Sequence, residues 1–355
     1  MKIPIELKPS LFPSRVIDLC RHLHDHGFQA YIVGGALRDA LLDRPLGDID
    51  IATDARPNDM IPLFDNVIPT GKQFGTMTVI YSNKNCRESY QVTTFRTEAS
   101  YSDHRHPDTV LFSDSIEIDV SRRDFTVNAL AWNPVTMAFI DIVNGQEDLR
   151  LKQLQTVGDP VDRFSEDSLR LLRLCRFHAQ LGFSIEVETL TAAKKLGPTV
   201  PLPSYERIQV ELSKLITALD AWQGLMSLQQ IGLLDRLLPD VVLKTCPELW
   251  PVWTGDQRLA FLVQEMQDYV TCLKTLRFPK KTIAWVTRLI NNANDLDRAS
   301  FKVTNLAISG KQLMDRGLVG PEITTMLDRL RQLVLDGVIT NTVDGIEGWL
   351  DDAIV

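Results

Sequence analysis

The chain has 355 residues, a formal net charge of −8 and 44% hydrophobic residues. At roughly 100–200 residues per domain, this length predicts two or three modules with real hydrophobic cores. The sequence has no apolar run of about 18 residues that could span a bilayer, its N-terminus lacks the apolar segment of a signal peptide, and its five cysteines form no C-x-x-C pair. We therefore expect neither a membrane protein nor a disulfide or zinc-ribbon scaffold, and we predict a cytoplasmic location.

The first 150 residues mix helix and strand patterns. Helices are predicted at about 13–26 and 36–42, and strands at 30–33, 48–52, 77–81, 90–95 and 139–143. After about residue 160 the strand patterns nearly vanish, and long helical segments begin with 166–181 and 205–219. The predicted fold class is therefore α+β, with a mixed N-terminal head followed by an all-helical remainder.

Two aspartates, Asp48 and Asp50, flank Ile49 in a predicted strand. Residues two apart in a strand face the same side, so both carboxylates can share divalent cations, and Mg²⁺ is the usual partner of carboxylates and phosphates. Two such ions about 3.5–4 Å apart can activate a hydroxyl and stabilise a leaving pyrophosphate. Turns and helix caps also contain D-x-D, so the pair is informative only together with its neighbours.

A glycine pair lies shortly before these aspartates. Gly34 and Gly35 occupy a predicted strand-to-helix turn, where backbone N–H groups can approach a phosphate. Arg38, one turn into the helix, can pair with the same anion. Later in the head, Arg122 and Arg123 beside Asp124 indicate a second anion-binding point with an acid that holds it, or else a surface ion pair.

Charged residues at helical spacing open the helical part of the chain: Glu166, Asp167, Arg170, Arg173 and Arg176. Adenine and cytosine both present an amine donor beside a ring-nitrogen acceptor, which a carboxylate and a guanidinium complement, whereas guanine and uracil reverse both groups. An Asp–Arg pair is therefore suited to accept A and C. The alternative interpretation is a salt-bridged helix start, since acids are common in a first turn.

The acidic net charge differs from the basic footprint typical of nucleic-acid binders, but phosphates respond to local patches. Between Tyr269 and Asn294 the sequence has no acid, one tryptophan (Trp285) and five basic residues: Lys274, Arg277, Lys280, Lys281 and Arg288. We hypothesise that this basic segment contacts RNA, with a solvated helix face as the alternative.

Taken in order, these segments resemble class II CCA-adding enzymes, the bacterial-type tRNA nucleotidyltransferases of the polymerase β superfamily. The resemblance covers nearly the whole chain. The stretches that carry it are YIVGGALRDALLDRPLGDIDIATDARP, TGKQFGTMTV, VTTFRTEASYSDHRHP, SRRDFTVNALAW, EDSLRLLRLCRFHAQLGF and SYERIQVELSKLI.

The resemblance implies a polymerase-β-like nucleotidyltransferase head (1–150) and an all-helical neck (151–219), body (220–275) and tRNA-binding tail (276–355). It implies that Asp48 and Asp50 are catalytic and hold Mg²⁺, with a two-metal mechanism. The nucleotide-binding residues would be Gly35, Arg38, Arg123, Asp167, Arg170, Arg173 and Arg176, of which Asp167 and Arg170 read the incoming base.

The implied reaction is attack of the tRNA 3′-hydroxyl on the α-phosphate of CTP or ATP, with release of pyrophosphate and without a nucleic-acid template. No obligatory protein partner is evident. Thr97–Pro107 matches the flexible loop associated with A addition, which favours full CCA synthesis. Relatives commonly carry Glu just before V-T-T-F, where this chain has Gln91, so a third metal acid would be missing here.

Two other functions remain open from the sequence. An A-adding or CC-adding specialist or a bacterial poly(A) polymerase shares the core motifs, although the G-x-x-F-G-T segment at Gly71–Thr76 resembles the CCA-adding side. A non-catalytic RNA-binding protein on this fold is more remote, because both carboxylates are present.

Overall fold

The computed structural model describes residues 7–82, 87–99, 109–291, 306–335 and 338–353. The strands are β1 (Ala30–Val33), β2 (Asp50–Thr53), β3 (Val67–Gly71), β4 (Thr76–Ser82), β5 (Arg87–Thr94), β6 (Arg96–Ala99), β7 (Thr109–Phe112), β8 (Ala131–Trp132), β9 (Phe139–Ile140), β10 (Gln153–Leu154) and β11 (Ser184–Ile185). All but β11 lie in the first 154 residues, as the loss of strand patterns predicts.

The α-helices run from the N-terminus to the end of the described chain. They are α1 (Ser14–Asp25), α2 (Gly35–Leu41), α3 (Pro57–Met60), α4 (Ile116–Ser121), α5 (Gly145–Leu151), α6 (Pro160–Glu166), α7 (Leu169–Leu181), α8 (Val187–Leu196), α9 (Tyr205–Ile216), α10 (Ala221–Gln230), α11 (Leu234–Leu237), α12 (Gly255–Val263), α13 (Tyr269–Thr275), α14 (Lys280–Asn291), α15 (Gly310–Asp315), α16 (Pro321–Leu335) and α17 (Val343–Ala353). Short 3₁₀ turns lie at Pro9–Leu11, Ile61–Leu63, Lys72–Phe74, Thr126–Asn128 and Trp250–Val252. No helix among the described residues is both long and apolar enough to cross a bilayer.

A seven-stranded mixed sheet forms the head, in the order β3-β4-β5-β2-β1-β8-β9. β1 pairs antiparallel with β2, so that Val33 lies opposite Asp50. β2 pairs parallel with β5, so that Asp50 lies opposite Gln91. Because antiparallel neighbours bring the end of one strand beside the start of the other, the Gly34-Gly35 turn after β1 adjoins the aspartates at the start of β2.

The neck is organised around α7, which is buried on nearly every side. Leu171, Leu174 and Cys175 are fully buried, and α7 packs against both α9 and α10. The main hydrophobic core continues from the head through these helices to Leu289, and a separate smaller core lies between Leu306 and Leu350. The predicted head-then-helices architecture is thus confirmed, whereas the boundaries at 150, 219 and 275 stay predictions.

The helix predicted from Glu166 to Leu181 is wrong as one continuous element. α6 ends at Glu166, Asp167 takes an extended conformation (φ −143°, ψ 101°) and α7 begins at Leu169. The Asp167 carboxylate accepts a hydrogen bond from the backbone N–H of Leu169 at 3.1 Å. Asp side chains compete with helical backbone bonds in this way, so Glu166 and the arginines of α7 belong to two different helices.

Other predicted elements are confirmed with shifted ends. The strand predicted at 48–52 begins at Asp50, which leaves Asp48 just before it. The strand predicted at 139–143 ends at Ile140. Of the predicted flexible loop Thr97–Pro107, residues 100–107 lie outside the described part of the chain, and residues 97–99 belong to β6.

Gly224 lets α10 approach α7 closely. A Cβ at this position would lie 2.7 Å from Cβ of Ala179 and 3.0 Å from the carbonyl oxygen of Cys175. We expect Gly224→Ala to lower the free energy of unfolding by about 1–3 kcal/mol, because an added methyl overpacks this contact. Urea unfolding followed by tryptophan fluorescence measures the change.

The matched control is Gly348→Ala in α17, where the new Cβ would meet no described atom within 4 Å. Alanine there is expected to be neutral or to stabilise by up to about 1 kcal/mol, since it favours helix over glycine. Equal stability of the two variants would contradict the packing role of Gly224.

Candidate active site

A polar cleft of about 680 Å³ opens between the head sheet and α7 and α9 of the neck. Nine cationic and six acidic side chains line it. The cleft is thus locally positive on a chain whose net charge is −8, and a local field of this sign attracts phosphates. All nine residues predicted as catalytic or nucleotide-binding line this cleft: Gly35, Arg38, Asp48, Asp50, Arg123, Asp167, Arg170, Arg173 and Arg176.

Asp48 and Asp50 form the carboxylate edge of the cleft. Both are exposed, with buried Ile49 between them, so they alternate as the sequence predicts. Desolvation by the cleft walls raises the pKa of Asp50, and the nearby Arg123 guanidinium opposes this rise. Gln91 of β5 lies opposite Asp50 and also lines the cleft. The group beside the two carboxylates is therefore a neutral amide and not a third acid.

This donor set fits a divalent metal that is shared with substrate. Within the described residues, no group of three or more His, Cys, Asp or Glu side chains is placed to hold a metal ion. Mg²⁺ usually retains several waters and binds through one or two carboxylates plus substrate phosphates. Asp48 and Asp50 meet that requirement, whereas a cage made wholly of protein ligands would need more acids than this edge supplies.

The glycine turn lies against Arg123. Gly34 has φ +69°, a conformation that glycine adopts without strain, and a Cβ there would lie 3.2 Å from Nη1 of Arg123. Asp119, on α4, accepts hydrogen bonds from Nη2 of Arg122 at 2.7 Å and from Nη2 of Arg123 at 2.9 Å. The sequence interpretation gave this holding role to Asp124, which is wrong because α4 brings Asp119 under both arginines.

Burial alone would raise the pKa of Asp119, but the guanidinium groups of Arg123 and Arg122 outweigh it and hold the pKa below its usual value. Asp119 therefore stays ionised and fixes the direction of both arginines. Arg38 is fixed too: it donates to Asp39 at 2.9 and 3.0 Å and to Oδ1 of Asn128 at 2.6 Å, and it is only 6% exposed.

Asp124 instead binds an arginine of the neck helix α7. It accepts a hydrogen bond from Nε of Arg173 at 2.7 Å, and its other bonds come from the backbone N–H of Phe125 and the side-chain amide of Asn128. Arg173 also contacts Glu211 of α9 at 3.5 Å, and Glu211 pairs with Arg176 as well.

The Phe177 ring lies under three guanidinium groups, at 5.2 Å from Arg38, 5.2 Å from Arg173 and 3.9 Å from Arg176, within cation–π range.

Asp167 and Arg170 both line the cleft but do not pair with each other. Arg207 of α9 donates to both carboxylate oxygens of Asp167, at 3.2 and 2.6 Å. Arg170 donates to Glu166 at 2.5 Å and to the carbonyl oxygen of Arg163 at 2.9 Å. The carboxylate and the guanidinium are therefore each held by a separate partner.

Sequence reasoning missed four residues that hold the predicted ones: Asp119, Asn128, Arg207 and Glu211. It also missed the cleft lysine Lys214. The signal was partly present, since Arg207, Glu211 and Lys214 follow one another by four and three residues within SYERIQVELSKLI. That spacing places them on one face of a helix.

The five basic residues of the predicted RNA-binding segment lie outside the cleft. Lys274, Arg277, Lys280, Lys281 and Arg288 are all exposed on or between α13 and α14. Arg277 pairs with Glu206 at 3.3 Å, and the Arg288 guanidinium lies 5.3 Å from the ring of the half-exposed Trp285. Their contact with RNA stays a prediction.

The head sheet presents paired carboxylates beside a glycine turn, and the helical neck lines the same cleft with arginines. This combination defines a nucleotidyltransferase. The family model described as "Poly A polymerase head domain" matches residues 30–155, and the one described as "Probable RNA and SrmB- binding site of polymerase A" matches residues 182–243.

The chain is 33% identical to a CCA-adding enzyme of Bacillus pumilus, over 95% of this chain and 96% of the relative, and 32% identical to that of Geobacillus thermodenitrificans, over 95% and 96%. It also resembles the crystal structure of the Bacillus stearothermophilus CCA-adding enzyme in complex with CTP, with a TM-score of 0.66 at 28% identity over 98% of both chains. The Thermotoga maritima CCA-adding enzyme complexed with tRNA_CCA shares the fold, with a TM-score of 0.58 at 17% identity over 99% of this chain and 97% of that one.

The chain belongs to the CCA-adding enzyme family of tRNA nucleotidyltransferases. This confirms the predicted family and fold class. The individual roles of the cleft residues remain proposals.

The Asp124–Arg173 pair makes stability depend on pH. Burial would raise the pKa of Asp124, but Arg173 and the hydrogen bonds lower it from 3.8 to about 2. The unfolded chain therefore takes up this proton first, so the stabilisation is complete above about pH 4 and is lost as the pH falls towards 2. We expect Asp124→Asn to lower the free energy of unfolding by about 2 kcal/mol at pH 7, and the difference from wild type to shrink below pH 4, as measured by urea unfolding across pH.

Asp18→Asn serves as the control, because Asp18 forms an exposed pair with Arg21. Exposed pairs contribute about 0–1 kcal/mol. The difference in free energy of unfolding between wild type and Asp124→Asn should shrink as the pH falls. If it stayed constant from pH 7 to pH 3, the assigned ion pair would be refuted.

Proposed function

We propose that this chain adds CCA to the 3′ end of tRNA from CTP and ATP, without a nucleic-acid template and with release of pyrophosphate. The observation that carries the proposal is the composition of one cleft. A carboxylate edge and a glycine turn lie on its head side, and an acid and arginines suited to an adenine or cytosine edge lie on its neck side.

On the head side, Asp48 and Asp50 would hold Mg²⁺, which when bound would stabilise charge on the attacking and leaving oxygens. The Gly34-Gly35 turn leaves room for phosphate beside Arg123, whose guanidinium Asp119 keeps in place. Because donors fixed before substrate arrives need not reorganise during the reaction, Arg123 is suited to bind the triphosphate while the acceptor hydroxyl attacks the α-phosphate.

On the neck side, Asp167 would accept from the exocyclic amine of cytosine or adenine, and Arg170 would donate to the ring nitrogen. Arg173 and Arg176, held by Asp124 and Glu211, would contact the rest of the nucleotide. A guanine or uracil edge would set donor against donor and acceptor against acceptor, and unpaired buried polar groups are costly. Selection would therefore come from the protein side chains themselves.

The exposed basic residues of α13 and α14 would contact the tRNA away from the reaction, and the head, neck, body and tail would divide as the sequence predicts. Phosphate contacts of this kind position an RNA without reading its sequence. The cytoplasmic location stays a prediction.

The decisive experiment is incorporation with Mg²⁺ into two tRNAs, one that lacks CCA and one that ends in CC, resolved at single-nucleotide length. We expect CTP and ATP together to add three residues to the first tRNA, and ATP to add one residue to the second and then stop. Addition of CC alone or A alone would favour a specialist, and a long A tract would favour a poly(A) polymerase.

Asp50→Asn provides the catalytic control, because asparagine keeps the shape of the side chain but removes its metal-binding charge. We expect incorporation to vanish while tRNA binding in a filter assay is largely retained. Asp18→Asn is the matched surface substitution. Loss of tRNA binding together with residual turnover would refute the metal role of Asp50.

Substitution of Asp167 tests base selection. Asp167→Asn turns an acceptor into a group that can also donate, so we expect discrimination against UTP and GTP to fall roughly tenfold to a hundredfold. The measurement is kcat/KM for each of the four nucleotides on tRNA that lacks CCA.

Asp162→Asn, an exposed acid of α6 outside the cleft, is the matched control and should keep wild-type selection. If Asp167→Asn selected nucleotides as wild type does, the reading role of Asp167 would be wrong.

A further inference from the structure

One face of α9 lines the cleft along its length. Arg207, Glu211 and Lys214 follow at helical spacing, while Ile208, Leu212 and Leu215 are buried in the core. Arg207 holds Asp167 and Glu211 holds Arg173 and Arg176. At about 1.5 Å per residue, this face extends roughly 10 Å from the base-reading end to Lys214.

Lys214 differs from the other cations of the cleft. Every arginine that lines it has a hydrogen bond or ion pair, for example Arg38 with Asn128 and Arg96 with the carbonyl oxygen of Phe74. Among the described residues that line the cleft, Lys214 is the one cation without such a partner, and its side chain is exposed. An ammonium on a flexible stem binds phosphate as a point charge.

The position of Lys214 relates it to the carboxylate edge. It lines the same cleft as Asp48 and Asp50. It lies on the neck wall, whereas the glycine turn and Arg123 belong to the head. A phosphate beside Lys214 would therefore be close to the reacting end but on the wall opposite the triphosphate site.

We propose that Lys214 binds a backbone phosphate near the 3′ end of the acceptor RNA and so positions its terminal hydroxyl at the carboxylate edge. This inference rests on the proposed function. The acceptor is favoured over the triphosphate because Lys214 is exposed, and the RNA strand must enter the cleft from the solvent side. The phosphates of a free nucleotide already have the glycine turn and Arg123.

The test compares Lys214→Gln with wild type on tRNA that lacks CCA. Loss of one phosphate contact to a single strand should reduce the slope of log Kd against log salt by about 0.7. We expect the KM for tRNA to rise about five- to tenfold, as for loss of one charged contact, while the KM for CTP stays unchanged. Lys214→Arg, which keeps the charge, should restore most of the tRNA affinity.

Lys195→Gln on α8, an exposed lysine outside the cleft, controls for general loss of positive charge and should leave the salt slope as in wild type. A rise in the KM for CTP without a change for tRNA would assign Lys214 to the triphosphate and overturn the proposal. An unchanged salt slope would overturn it as well. If wild type itself failed to extend tRNA, the proposed function would fail, while the salt-dependent binding would still decide the role of Lys214.

Discussion

The contact between Asp124 and Arg173 joins the two halves of the cleft, and the other side chains of the site are arranged around it. Asp124 belongs to the head and is also bonded by Asn128, which accepts from Arg38 of α2. Arg173 belongs to the neck and reaches Glu211 of α9, which pairs with Arg176. One continuous set of polar contacts thus extends from the helix after the glycine turn to α9 of the neck. In such networks, loss of one partner leaves a buried charge that nothing else compensates.

This arrangement explains how an acidic protein presents a positive cleft. Each aspartate or glutamate that holds an arginine offsets part of its charge, yet the cleft still has nine cationic and six acidic side chains. The acids restrict the rotamers of the guanidinium groups, so substrate phosphates would meet donors that already point into the cleft. Preorganised dipoles and charges stabilise developing charge more effectively than mobile ones. The net charge of the chain therefore says little about its ligand.

The sequence was sufficient for the parts of the site that depend on local pattern. The alternation of Asp48, Ile49 and Asp50 and the glycine turn require only strand and turn geometry, and the register of β1 with β2 brings them together. The partner of Arg173 and Arg176 was not predictable, because Glu211 reaches them through tertiary packing. Asp119 lies three and four residues before Arg122 and Arg123, and this local signal was overlooked beside the adjacent Asp124. The break at Asp167 was missed because charges three apart suggest one helix, whereas the Asp167 carboxylate accepts a hydrogen bond from the backbone N–H of Leu169 and interrupts that helix.

The division of the cleft between two structural units also has an evolutionary consequence. The carboxylate edge and glycine turn are fixed by the strand register of the head, while Asp167 and Arg170 are set by the junction of α6 with α7. Under the proposed roles, substitutions at that helix junction could change the letters added to an RNA end without disturbing bond formation. A lineage could thus acquire a new terminal sequence by altering a few neck residues, with the sheet inherited unchanged.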